Sequence, residues 1–320
     1  MTSPQVREAV AVLRAGGLVA FPTETVYGLG ADAANPNAVR RLYAVKGRPV
    51  DHPLIVHIAS ADSLPEWASD VPAAAASLGD ACWPGPLTLL LHRRPGVDPT
   101  VTGGRDSIGL RVPSHLLALE LLAAFGGGVA APSANRFGRV SPTTAEHVRE
   151  DLGDDVDLVL DGGPTSVGVE STILDLTVDP PAILRPGGVP AEAIEAIIGR
   201  AVRTDDHGPS RAPGMLASHY APRARIELVE DATSATRRVV ALKAEGRRAE
   251  LLDPGPDPDH YARHLYKWLR AADARAVEVL VVVPPPPEGL GWAVRDRLRK
   301  AAAPRPETST DRPGRAGIDA

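Results

Sequence analysis

Residues 21–30 read Phe21-Pro22-Thr23-Glu24-Thr25-Val26-Tyr27-Gly28-Leu29-Gly30, and the fold turns on how the two glycines at their end are used. With Ala31-Asp32-Ala33 they match the G-x-G-x-x-A pattern of a dinucleotide-binding turn. Such a turn directly follows a strand and opens a helix whose N-terminus holds the pyrophosphate. Here Pro22 to Tyr27 separate the glycines from the apolar run Leu18–Phe21, and the next helix signal, Asn35-Pro36, comes after the motif. The spacing argues against a Rossmann first turn, and the absence of G-x-x-x-x-G-K-[ST] excludes a P-loop. What remains is a strand end with two hydroxyls, a carboxylate and a phenol packed into one turn.

Outward from this point, strand-like and helix-like segments alternate. Ser3-Pro4 offers an N-cap with proline at the first helical position, and Gly16-Gly17 a stop. Asn35-Pro36 opens a second helix that delivers Lys46 at its end. Short apolar runs predict strands at Pro53–Ile58, Leu87–Leu91, Ile108–Val112, Gly128–Ala131, Leu158–Leu160 and Thr172–Leu176. Helices are expected at Leu116–Phe125, at Thr143–Leu152, where Thr143 and Glu146 have capping-box spacing, and at Val189–Ile198. Residues 201–224 lose the periodicity and read as a linker. A smaller α/β unit follows: strands Ile226–Val229, Val239–Leu242 and Val277–Val283, with helices Tyr261–Ala272 and Trp292–Ala303. The Pro, Arg, Thr and Gly-rich residues 304–320 read as a disordered tail. The expected organisation is therefore an α/β domain at 1–200, a linker at 201–224, a small α/β domain at 225–303 and the tail.

The 320 residues are 43% hydrophobic and 23% charged, the balance of ordinary globular domains. Residues 1–200 carry 15 Lys and Arg against 23 Asp and Glu, net −8, whereas 201–320 carry 20 against 17, net +3. So acidic a first half is a poor match for a nucleic-acid backbone and sets no expectation of stable DNA binding, so its few cations read as local tools. The single cysteine, Cys82, excludes a disulfide framework and multi-cysteine zinc sites, and beside Trp83 it reads as a small hydrophobe. The start MTSPQVREAV lacks the profile of a secretion signal, and no apolar run approaches the ~20 residues that span a bilayer. A cytoplasmic protein without membrane contact is expected.

Candidate site residues are spread along the first half. Lys46-Gly47-Arg48-Pro49 places two cations about a glycine, a pair able to clamp phosphate oxygens. His57 and Arg111 each follow strand-like residues, and a charged arginine there must be paired or face a cleft. Pro132-Ser133-Ala134-Asn135 and Ser141 follow the strand ending at Ala131, where small polar groups suit a ligand or a plain turn. Glu170-Ser171-Thr172 and Arg185 add hydroxyls and a further cation.

In order, FPTETVYGLG, KGRP, PLIVHI, WPGPLT, IGLRVP, APSAN, GVEST and ILRPG closely resemble the threonylcarbamoyl-AMP synthase family over residues 5–200. Pro213-Gly214-Met215 with His219-Tyr220-Ala221-Pro222 resembles the linker of its longer members, and residues 289–302 resemble the end of their second domain. The resemblance implies a YrdC-like open twisted mixed sheet with helices, plus a smaller Rossmann-like α/β C-terminal domain. It implies a nucleotidyltransferase that makes threonylcarbamoyl-AMP and pyrophosphate from L-threonine, bicarbonate and ATP. Mg²⁺ would accompany the nucleotide without a dedicated metal site. The product would pass to a tRNA-modifying transferase complex. Position by position, Thr25, His57, Arg111, Ala131 and Ser171 resemble threonine-binding residues. Lys46 and Arg48 resemble the catalytic cations. Arg48, His52, Ser107, Ser133, Asn135, Ser141, Arg185 and Tyr220 resemble the ATP set, Tyr220 as a lid over the nucleotide. The carbamoyl-transfer module of hydrogenase maturation shares this domain, but its zinc motifs need cysteines that this chain lacks. An RNA-binding, regulatory module without synthase activity is the alternative of a different class, resting on the basic second half.

Overall fold

The computed structural model describes residues 2–205, 212–214 and 220–304. Helix α1 (Pro4–Arg14) leads into β1 (Val19–Phe21), β2 (Gly28–Asp32), α2 (Pro36–Lys46) and β3 (Ile55–His57). Then come α3 (Leu64–Trp67), β4 (Ala68–Ser69), α4 (Ala73–Cys82), β5 (Leu87–Arg93), β6 (Ser107–Arg111), α5 (Leu116–Phe125) and β7 (Val129–Ala130). Helix α6 (Ala145–Leu152), β8 (Leu158–Val159), β9 (Thr172–Asp175), β10 (Ala182–Arg185), α7 (Ala191–Ile198) and β11 (Arg203–Thr204) complete the first unit. The second holds β12 (Arg225–Leu228), α8 (Ala232–Ala244), β13 (Ala249–Leu252), α9 (Pro258–Ala274), β14 (Val279–Val282) and α10 (Gly291–Ala302).

Among the described residues, β1–β11 form one mixed sheet in the order β11-β10-β9-β5-β6-β3-β7-β2-β1-β8, with β4 on β5. Side chains alternate across it as the pleat requires. Val19 and Phe21 pack with α1 and α5 on one face, while Ala20 faces the larger core of α2, α4, α6 and α7. The second unit is a parallel sheet in the order β12-β14-β13. Helix α8 covers one face. Helices α9 and α10 cover the other, in a cluster that also takes in Val26, Val140, Val169 and Tyr220. The two units thus share a core, and the expected combination of open mixed sheet and smaller α/β unit is what is found.

The glycine motif resolves as strand. Gly28–Asp32 is β2, antiparallel to β1 with Phe21 opposite Gly28. A Cβ on Gly30 would lie 2.8 Å from Val129 Cγ1 and 2.9 Å from the Phe21 ring, so glycine is needed for strand packing and not for a pyrophosphate.

Several expectations need correction. Val239–Leu242 is not a strand. It lies within α8, where Asp231 caps by accepting from Ser234 N and the buried residues are Ala235, Val239 and Leu242. That helical spacing is visible only in a longer window than four apolar residues. The third strand of the unit is β13, which half-buried positions hide. The cap of α6 is Thr144, accepting from His147 N, one residue after the expected capping box. The run of alanines in α4 carries little pattern, and β10 is masked by the flanking prolines Pro180, Pro181 and Pro186, which read as loop. Residues 203–204, read as linker, pair in parallel with β10. Met215, His219 and tail residues 305–320 lie outside the described residues.

Candidate active site

The loop Pro22–Tyr27 joins β1 to β2 and is buried throughout. Thr23 organises it: its hydroxyl donates to Val26 O at 2.6 Å and accepts from the Thr25 and Val26 amides. Backbone bonds from Tyr27 N to Pro142 O and from Ala134 N to Tyr27 O lace this loop to the distant Pro132–Pro142 segment.

Arg111, the last residue of β6, donates from Nη2 to Glu24 Oε1 at 2.7 Å and Thr25 Oγ1 at 2.9 Å, and from Nε to Gly85 O at 3.2 Å. Glu24 Oε2 accepts from Ser114 N. Burial alone would raise the Glu24 pKa, but the Arg111 charge and hydrogen bond outweigh it and hold the carboxyl below its usual range. His57 lies opposite Arg111 in the β3–β6 register. Its ring meets Phe21 edge-on at 5.9 Å, and Nδ1 is buried without a hydrogen-bond partner. Burial and then the Arg111 charge push its pKa down to about 3, so the imidazole is neutral at physiological pH. Ser171 shares a 2.8 Å hydroxyl contact with Thr88. Arg185, at the end of β10, donates to Ser171 O (2.8 Å), Ser171 Oγ (3.1 Å) and Pro213 O (3.1 Å).

These groups converge on one cleft. Of the residues predicted from sequence, Thr25, Arg48, His57, Arg111, Ala131, Ser133, Ser171, Arg185 and Tyr220 line it. Arg48 follows Gly47, the left-handed C-cap of α2. Its Nη2 donates to Pro53 O at 2.9 Å, and the guanidinium sits 5.6 Å over the Phe137 ring. Burial lowers its pKa to about 10, which leaves it charged. Tyr220 lines the cleft together with Pro213 and Gly214 from the segment read as linker.

Five predicted residues lie behind or beside the lining. Lys46 is buried, and its Nζ is 2.5 Å from both Ser133 O and Asn135 O. Asn135 Nδ2 donates to Arg136 O and Arg139 O. Ser141 donates to Glu170 at 2.7 Å. His52 packs edge-on against Phe137 at 5.5 Å. Ser107 begins β6, and extending the β3–β6 register by two residues sets it beside Pro53, whose carbonyl Arg48 holds. The sequence reading missed roles for Glu24, Glu170, Tyr266 and Arg297. The signal available was a lone carboxylate within each of two apolar, hydroxyl-rich motifs, which demands a buried partner. Cys82 ends α4 half-buried, and burial raises its thiol pKa, as befits packing rather than reactivity.

The buried histidines set a pH dependence. His57 and His147 sit at about 3 and about 4 when folded, against 6.5 ordinarily, burial being the first cause of each. The unfolded chain therefore takes up protons first, and stability falls as pH drops below 6.5. The urea midpoint is expected to be lower at pH 5.0 than at pH 7.5, and His57→Asn should narrow the gap. Equal midpoints would show that neither ring is held neutral.

The family model described as telomere recombination (Sua5_yciO_yrdC) matches residues 11–187. A second, described as the threonylcarbamoyl-AMP synthase C-terminal domain, matches residues 189–303. The threonylcarbamoyl-AMP synthase of Pyrococcus abyssi is 44% identical over 322 residues, covering 94% of this chain and 95% of its own. That of Bacillus subtilis is 42% identical over 332 residues, covering 94% of each. The crystal structure of the P. abyssi protein Sua5 complexed with L-threonine superposes with a TM-score of 0.89 at 42% identity, covering 93% of this chain and 94% of that one.

Proposed function

The chain belongs to the threonylcarbamoyl-AMP synthase family, and from that premise we propose that it converts L-threonine, bicarbonate and ATP into L-threonylcarbamoyladenylate and pyrophosphate, the adenylate serving tRNA modification. It is thus an enzyme of the nucleotidyltransferase class. The observation that carries the reading is the convergence of Arg48, Arg111 and Arg185 on one cleft, with hydroxyls between them.

Two steps must be accommodated. The threonine amine combines with bicarbonate to give a carbamate and water. A carbamate oxygen then attacks the α-phosphorus of ATP, and pyrophosphate leaves. Both partners of the second step are anions, so positioned cations matter more than proton transfer. Arg111 is assigned to the threonine carboxylate, with Thr25, Ser171 and neutral His57 about the amine and hydroxyl. The unpartnered His57 Nδ1 is a polar atom whose burial costs least when a ligand group meets it. Ala131 contributes a methyl group to the shape of the site. Arg48, Arg185 and Ser133 are assigned to the phosphates, and His52 and Ser107 to the nucleoside side. Lys46, Asn135 and Ser141 support them from behind. Tyr220 excludes water from the mixed anhydride.

Mg²⁺ would enter on the nucleotide. The carboxylates at the site, Glu24 and Glu170, are both held by arginines, and the described residues contain no cluster of three His, Cys, Asp or Glu able to hold a metal. This donor set fits an ion held by phosphates and water. Bound so, it would neutralise phosphate charge. No helix among the described residues is long and apolar enough to cross a membrane.

The test is pyrophosphate release by purified protein with ATP, L-threonine and bicarbonate, each omitted in turn. Release should need all three and yield an acid-labile threonylcarbamoyl adenylate by mass spectrometry. Release without threonine would overturn the proposal. Tight, salt-sensitive tRNA binding without turnover would favour the RNA-binding alternative instead.

A further inference from the structure

The second unit reaches the cleft through one buried network. Glu170 lines the cleft and accepts from Ser141 Oγ at 2.7 Å, Tyr266 OH at 2.8 Å and Arg297 Nε at 2.8 Å. Tyr266 and Arg297 come from α9 and α10 of the second unit. The Arg297 side chain is fully buried. Its Nη1 donates to Pro186 O and Asp296 Oδ2, and its guanidinium lies 5.1 Å over the Tyr220 ring. Asp296 is held in turn by Lys300, whose Nζ donates to Gly214 O at 2.7 Å. Glu170, Tyr220 and Gly214 all line the cleft, so three of its walls are set from the second unit.

Arg185 is the other cation near Glu170. Its hydrogen bonds go to Ser171 and Pro213, with no carboxylate partner among the described residues. The Glu170 charge acts on it nonetheless. A carboxylate in so dry a place takes whichever cation is nearest and uncommitted. With Arg297 in place Glu170 is satisfied and Arg185 stays available to an anion. Without Arg297, Glu170 would draw Arg185 off Ser171 and compete with phosphate for it.

We propose that Arg297 is a positioning residue for the nucleotide: by pairing with Glu170 it keeps Arg185 free for the phosphates, which makes the second unit a working part of the active site. The phosphate assignment of Arg185 rests on the synthase reading above. Gly214 belongs to the same arrangement: at φ +84°, a Cβ there would lie 2.5 Å from Tyr220 OH and 2.9 Å from Arg185 Cδ, leaving no room between lid and cation.

The experiment compares full-length wild type with Arg297→Met, Glu170→Gln and the double variant, each checked by thermal melting. ATP affinity is measured by calorimetry, and turnover by threonine- and bicarbonate-dependent pyrophosphate release. Arg297→Met should weaken ATP at least ~30-fold, and adding Glu170→Gln should restore at least ~10-fold, because the competing charge is gone. A double variant no better than the single one, or a folded single variant within ~2-fold of wild type, overturns the proposal. If Arg297→Met does not fold, Arg297→Lys replaces it. Lysine keeps the charge, so ATP affinity should stay within ~3-fold, and a loss beyond ~10-fold sinks the charge argument. Wild type that binds ATP without turnover sinks the synthase reading alone and leaves Arg297 to be judged on affinity. Wild type that does not bind ATP sinks both.

Discussion

Arg111→Met is expected to lower kcat/KM for L-threonine by ~10²–10⁴-fold while the protein still folds. The range follows from the ~2–5 kcal/mol of binding lost when one partner of a buried, hydrogen-bonded charge pair is truncated, here the pair of Arg111 with the substrate carboxylate, at 1.36 kcal/mol per factor of ten. Arg111 is 4% exposed and Glu24 is 6% exposed, so water cannot screen the orphaned carboxylate. The bonds to Glu24, Thr25 and Gly85 use Nε and Nη2, which leaves Nη1 for a substrate carboxylate. Lysine has no such fork, so Arg111→Lys should fail nearly as badly, and the two variants together separate geometry from charge. Threonine-saturation curves at fixed ATP and bicarbonate provide the measurement. A folded Arg111→Met protein with kcat/KM within ~3-fold of wild type would remove Arg111 from the threonine site.

The same pair shows what could and could not be read in advance. Arg111 stood out because a charged residue at the end of an apolar strand must be explained. Its partner lay 87 positions away in Glu24, and a lone carboxylate in that motif says that it needs a partner without saying which one. Long-range pairing of this kind comes from strand order, and β3, β6 and β7 become neighbours only through crossovers that no local pattern specifies. Elements with marked punctuation were legible: Ser3-Pro4 and Gly16-Gly17 bracket α1, and Asn35-Pro36 opens α2. Elements read in too short a window were not, as Val239–Leu242 inside α8 and the two-residue β11 show. The second unit's share of the site was hidden for a further reason. Arg297 reads as an ordinary surface cation on an amphipathic helix until the packing of α10 against the first unit buries it completely.

Lys46→Met is expected to separate the two ligands, weakening ATP by at least ~100-fold while L-threonine affinity changes by less than ~3-fold. The sequence paired Lys46 with Arg48 as one phosphate clamp, and in the structure the two side chains face different ways. Arg48 lines the cleft, whereas the Lys46 ammonium points inward at the carbonyls of Ser133 and Asn135. Burial, then the Arg48 charge, drives its pKa well down, and its donors are taken up by the two carbonyls. Methionine keeps the stem and removes the donors, leaving two buried carbonyls short of a partner at about 1–3 kcal/mol each. That strain falls on the Ser133–Asn135 segment, the one assigned to ATP. Thr25, Arg111 and Ser171 are tied instead to Thr23, Glu24 and Thr88, and His57 packs on Phe21, so they should keep their places. Calorimetric titration of each ligand into the folded variant decides the matter. Joint loss of both affinities would mean that Lys46 supports the fold at large. Unchanged ATP binding would mean that the segment holds its shape without it, and Lys46 would then have no part in binding ATP.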